Sequence, residues 1–331
     1  MQRLFRKIAV AVAVAVAVVS AVLRIVLTPQ MQISGGFRWS YWIITLMIAA
    51  FAAVTVLVVL GKGRLPLAQE LVPAASLPLA ISSLLAGGIL AASSLYDGCM
   101  WWIFQKTPPP NDQVISSLDA GALFLTLVFG ILGGAFLVWL GVVLAEGRAF
   151  RTSRMALAAL APVAWGWFRL VRYELSYASA VQVSQSFYDF VMLIFTLLFL
   201  FAFARYISGT GERKPPEKRH RLLLIYALCT AVMSLSGPLT NLALYITGTI
   251  TADNFSWLAG IQDFGIGAFA LCTALTLVFG NPVREIPEVD GAPEDILSGE
   301  APLPLEEETK TEEPPTAEEV LREMYPEEKD W

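Results

Sequence analysis

Eight apolar stretches of roughly 20 residues or more recur along the chain, at 7–28, 40–61, 74–96, 117–145, 155–175, 186–205, 222–247 and 257–279. About 20 apolar residues in a helix cross a hydrocarbon core about 30 Å thick, so each stretch predicts a membrane span. The first alternates Ala and Val from Ala9 to Val18. In water such alternation suggests a strand, but a lone strand leaves its backbone unsatisfied in lipid, so a helix is predicted there too. The basic start, Met1 to Lys7, followed by this run also has the form of a signal peptide. The run is long and seven more spans follow, so it is taken as a retained span.

The connections between spans alternate in charge. With the N-terminus inside, the inner segments hold Arg3, Arg6, Lys7, Lys62, Arg64, Arg148, Arg151, Arg154, Arg205, Arg213, Lys214, Lys218, Arg219 and Arg221. The outer side holds only Arg24, Arg38, Lys106, Arg169 and Arg172. Lys and Arg in short loops resist translocation, which predicts both termini inside a cell membrane. Trp39, Tyr41, Trp42, Trp101, Trp102, Trp165, Trp167 and Trp257 mark the outer boundary, where amphipathic rings favour the headgroup level. The longest outer connection, 97–116, is expected to lie along that interface.

Composition agrees with the pattern and divides the chain. Of 331 residues, 56% are hydrophobic and 15% charged, against about 45–50% and 25% in soluble chains. The net charge of −5 is a sum of unlike parts: residues 281–331 carry 17 acidic and 4 basic side chains, and residues 1–280 carry 11 and 19. The expected organisation is therefore an all-α, eight-helix transmembrane domain at 1–280 and a disordered acidic cytoplasmic tail at 281–331. Within the tail, Thr316-Ala317-Glu318-Glu319 has the capping-box form and opens a short helix at 316–325. Its Val320, Leu321, Met324 and Tyr325 offer an apolar face to a cytoplasmic protein. The five basic residues of 213–221 are explained by topology determination alone or by attraction to anionic lipid, and no nucleic acid is expected as a partner.

Ionisable residues inside spans are costly and mark sites by default. Counted at about 1.5 Å per residue, Arg169, Arg172, Asp189 and Asp263 fall at a common depth below the outer surface, with Arg24, Asp97 and Asp119 at nearby span ends. Helix dipoles and caps account for part of this layer, since Ser116-x-x-Asp119 and Ser186-x-x-Asp189 both resemble capping boxes. Asp263, seven residues past Ser256, is too deep to cap, and Arg169 is too deep for a simple surface charge unless its side chain snorkels outward. At the same depth, Ser234-Leu235-Ser236-Gly237-Pro238-Leu239-Thr240-Asn241 interrupts the seventh span, as a kink or as a polar break of the kind transporters use for solutes. Arg169, Arg172, Asp189, Asp263, Ser236 and Asn241 are the candidate ligand-binding residues, lining an outward-facing vestibule. Direct pairing of Arg169 with Asp263 would instead favour a structural role.

The residue types remove several chemistries. The single His220 leaves no multi-His metal site or bis-His haem, and no metal or cofactor is expected. Cys99, Cys229 and Cys272 lack CxxC spacing, and no P-loop is present. Tyr188-Asp189 with Gly260-Ile261-Gln262-Asp263 faintly resembles the paired motifs of intramembrane aspartyl proteases, but it lacks the glycine before Asp263 and its two spans run in the same direction. Gly130 and Gly134 form a GxxxG for close helix packing, most simply within the chain.

Arg169-Leu170-Val171-Arg172, Tyr188-Asp189 and the run Leu198 to Arg205 resemble segments of uncharacterised multi-pass membrane proteins of Gram-positive bacteria. The resemblance covers about 40 residues and implies no activity. Two functions are expected: binding or transport of a small anionic solute or ion through the charged layer, or a non-catalytic sensor or scaffold that recruits a partner through the tail.

Overall fold

The computed structural model describes residues 2–34, 37–61, 76–106, 117–146, 157–176, 183–208, 216–248 and 257–279. They form eight helices: α1 (Gln2–Ser34), α2 (Phe37–Leu60), α3 (Ser76–Lys106), α4 (Ser117–Ala145), α5 (Leu160–Ser176), α6 (Val183–Ile207), α7 (Pro216–Ile246) and α8 (Trp257–Phe279). No strand occurs among the described residues. Six of them, α1, α3, α4, α6, α7 and α8, are long and apolar enough to cross a bilayer. These helices make the chain a multi-pass integral membrane protein. In α2 the apolar stretch is the shorter Thr45–Leu60. The 17-residue α5 carries Arg169, Arg172 and Glu174.

Burial is distributed as lipid solvation requires. Val18, Val22, Ile48, Leu85, Trp102, Phe124 and Trp167 are exposed, whereas Ser83, Ser94, Thr196, Thr230, Ser234 and Ser236 are buried. Hydrocarbon gives apolar side chains no reason to turn inward, so small and hydroxyl-bearing residues occupy the helix contacts instead. The alternating run of α1 follows this rule. A period of two places Ala at every fourth position as well, and Ala9, Ala13, Ala17 and Ala21 form one buried stripe while Val14, Val18 and Val22 face outward. At its start Arg6, also buried, donates two hydrogen bonds of 2.9 and 2.7 Å to the Gly61 carbonyl at the end of α2. A cation at a helix C-terminus is favoured by the exposed carbonyl dipoles there.

Six helices close into a ring: α3 packs on α4, α4 on α5, α5 on α6, α6 on α7, α7 on α8, and α8 back on α3. The hairpin of α1 and α2 lies outside it, against α7 with smaller contacts to α8 and α6. Glycines set the tightest seam. A Cβ on Gly87 would meet the backbone of Gly134 and Val138 at 2.6 Å, one on Gly141 would meet Leu84 at 2.6 Å, and Ser83 donates to the Leu137 carbonyl at 2.7 Å. Gly130 and Gly134 both face α3, while Gly133 faces Pro162 of α5. The GxxxG is spent on packing within the chain.

Several boundaries differ from those expected. α3 continues ten residues past 96, so 97–106 is helix rather than an interfacial connection. Charge and tryptophan mark a membrane boundary without breaking a backbone. α1 likewise runs ten residues past Arg24, which therefore does not sit at a helix end. α7 is continuous through Pro238, so the expected break is a proline inside an intact helix. The chain divides near residue 284 into two units, and the second, Glu285–Trp331, lies outside the described residues.

Candidate functional site

The charged layer forms at the end of the bundle opposite Arg6 and Lys7. Lys7 lies 5.4 Å from the ring centre of Phe279. From that level Arg24 is 17 residues along α1 and Asp263 is 16 residues back along α8, about 24–26 Å at 1.5 Å per residue. That separation is close to the roughly 30 Å thickness of a hydrocarbon core.

Arg169 and Asp263 form a two-pronged ion pair. Nη1 and Nη2 of Arg169 donate to Oδ1 and Oδ2 of Asp263 at 2.5 and 2.9 Å. The two side chains are 17% and 6% exposed, so the pair is largely removed from solvent. Its position in the ring is what sets it apart. α5 and α8 stand three steps apart in either direction, so the pair reaches across the interior. Asp263 shares the inward face of α8 with buried Ile266, Phe269 and Ala270, and Arg169 lies 5.3 Å over the ring of buried Trp165. Deeper in the ring Phe269 meets Phe199 and Phe203 of α6 edge-on at 5.7 and 4.9 Å. The ion pair thus sits one layer above an aromatic cluster.

Other charges surround the pair. Asp97 on α3 is within electrostatic reach of Arg172 and Arg169, and Asp189 on α6 within that of Asp263, Arg24 and Arg169. Asp97, Arg172, Asp189 and Arg24 are all half-buried. Three cations and three carboxylates from five helices therefore converge, and their formal charges cancel.

A second cluster joins α1, α6 and α7. The Arg24 guanidinium lies 3.5 Å from the ring centre of Tyr188. The Tyr188 hydroxyl donates to the Met233 carbonyl at 2.6 Å and sits 2.5 Å from Ser236 Oγ. Pro238 has no N–H to offer the carbonyl four residues earlier. The surrounding turns are stitched by side chains instead: Thr240 Oγ1 donates to the Ser236 carbonyl at 2.7 Å and reaches the Ala21 carbonyl of α1 at 3.4 Å.

The site residues proposed from sequence thus separate. Arg169 and Asp263 are joined directly, the outcome that favours a structural role. Arg172 lies one turn further along α5, and Asp189 flanks the pair. Asp189 was expected to cap its helix from Ser186, but α6 begins at Val183 and Asp189 is its seventh residue. Ser236 is enclosed under Tyr188 rather than open to a vestibule. Asn241 is exposed, about 140° round α7 from Ser236, and does not join the cluster. Ser116, the Asp119 side chain, Val320, Leu321, Met324 and Tyr325 lie outside the described residues. Sequence read Trp165 as a boundary marker, but it is buried within the bundle under Arg169; it passed over Thr196 and the stacking role of Tyr188, and the signal for Thr196 was its helical spacing from Asp189 and Phe199.

No protein-family model, curated protein or solved structure matches the chain. The chemistry of the residues therefore carries the functional argument. Among the described residues no group of three or more His, Cys, Asp or Glu is placed to hold a metal.

Proposed function

We propose that the chain spans the cell membrane eight times with both termini inside, and that it binds or moves a small solute or ion along the axis of its six-helix ring. The outer end is closed by Arg169 and Asp263. Arg172, Asp97, Asp189 and Arg24 form the half-buried mouth that meets the solute. Direct pairing by itself favours a structural role; what carries this reading is that the pair joins opposite members of the ring and is bordered by four half-buried charges. A pair meant only to staple neighbouring helices has no need to reach between opposite members of a ring, and buried ion pairs contribute little net stability compared with apolar packing. Ionisable residues in spans also collect along solute and ion pathways.

Arg169 differs here from its sequence-based role. It meets Asp263 first, and holds an anionic group only when that carboxylate gives way. The test is flux through proteoliposomes of chloride, sodium and radiolabelled acetate, comparing the parent chain with Arg169→Ala. The reading expects Arg169→Ala to change the rate of whichever probe the parent moves. Unchanged uptake by a folded variant removes Arg169 from the path.

A further inference from the structure

We propose that Asp189 is the second partner of Arg169, taking its guanidinium when the ring opens. The inference rests on the reading that the Arg169–Asp263 pair closes the axis. α5 and α6 are neighbours in the ring, and Tyr173 stacks on Phe190 with centroids 6.3 Å apart and planes inclined by 24°. Arg169 is one turn from Tyr173, and Asp189 is adjacent to Phe190. The stack therefore holds the Asp189 turn of α6 against the outer turn of α5, with Asp189 within electrostatic reach of Arg169 on the neighbouring helix, whereas Asp263 bonds Arg169 from the opposite side of the ring.

Asp189 also has capacity to spare. Among the described residues none donates a hydrogen bond to its carboxylate, and it is half-buried rather than sealed. It shares a helix face with Met192, Thr196 and Phe199, which points into the ring. Exchange of one aspartate for another keeps the charge-assisted fork of the guanidinium in both states. In the closed state Asp189 is the carboxylate near solvent; in the open state water reaches Asp263 instead. Breaking the pair without a replacement would leave two ions unpaired, the costly case for buried charges. Two discrete arrangements of packed elements are the usual basis of a switch.

Thr196 provides the reporter. It lies seven residues beyond Asp189, about 10 Å deeper along α6. Its hydroxyl is buried and, among the described residues, has no hydrogen-bond partner. The parent for the test carries Thr196→Cys with Cys99, Cys229 and Cys272 replaced by Ala, in proteoliposomes exposed externally to a membrane-impermeant methanethiosulfonate. Asp189→Asn, which removes the open-state partner, is expected to slow modification about fivefold or more, and Asp189→Glu to hold it near the parental rate. Arg169→Ala is expected to accelerate it, with Arg169→Ala/Asp263→Ala used if the single variant does not fold. Modification of Asp189→Asn at the parental rate or faster, or of Asp189→Glu at the slowed rate, overturns the exchange. Failure of the Arg169 variants to accelerate modification overturns the closure itself, so the two ideas fail separately.

Discussion

Tyr188 ties α6 to both α1 and α7. Its ring seats Arg24, and its hydroxyl braces α7 one turn before Pro238. The two functions separate by substitution. Tyr188→Phe keeps the seat and loses the hydroxyl, which is expected to lower stability by about 1 kcal/mol. Tyr188→Ala loses both and leaves a cavity, with an expected loss of about 3–5 kcal/mol. Reversible unfolding in mixed micelles measures the difference; equal losses would show that the hydroxyl alone holds the contact. The residue types at this layer were legible in sequence because charge is rare in a span and stands out. Partnership was not legible. Arg169 could be placed at the depth of Asp263 by counting, but whether the two meet depends on which helices are opposed, and counting along one helix carries no such information.

The helices themselves were easier to read than their ends. Apolar length alone located each of them, while α3 and α1 run on past the residues that mark the membrane boundary. Helices end at caps, Gly or Pro, and neither Asp97 nor Trp101 stops α3. Helix packing yields a sharp contrast within α3. Gly87 faces the α4 backbone, where a Cβ would come to 2.6 Å, whereas adjacent Gly88 has nothing within 4 Å. Gly87→Ala is therefore expected to destabilise the protein by about 1–3 kcal/mol through forced separation of the helices. Gly88→Ala is expected to be neutral or stabilising by up to about 1 kcal/mol, since alanine restricts the unfolded chain more than glycine does. Thermal unfolding of the two variants in one detergent tests this, and equal shifts would contradict the close approach of α3 and α4. At the start of α1, Arg6→Ala removes two hydrogen bonds to Gly61 and is expected to loosen the α1–α2 hairpin, read as faster hydrogen exchange near residues 57–61.

For the molecule as a whole, sequence established the all-helical, multi-pass class, while the ring order came only from structure. In lipid every apolar face is equally well solvated, so hydrophobic patterning does not say which face meets which neighbour. The proposed topology is open to test with cysteines. Cys99, exposed near the charged end of α3, is expected to react with an impermeant maleimide added outside intact cells, while Ser208→Cys beyond α6 is expected to react only after permeabilisation; the reverse pattern would invert the orientation. The central claim is that Arg169 and Asp263 hold each other across the ring. A double-mutant cycle of Arg169→Ala, Asp263→Ala and the combined variant, followed by reversible unfolding, measures it most directly. Each single change is expected to cost about 3–5 kcal/mol by leaving one buried charge alone, and the combined change no more than either, a coupling of several kcal/mol. Additive losses, with coupling near zero, would contradict the pair and the closure built on it.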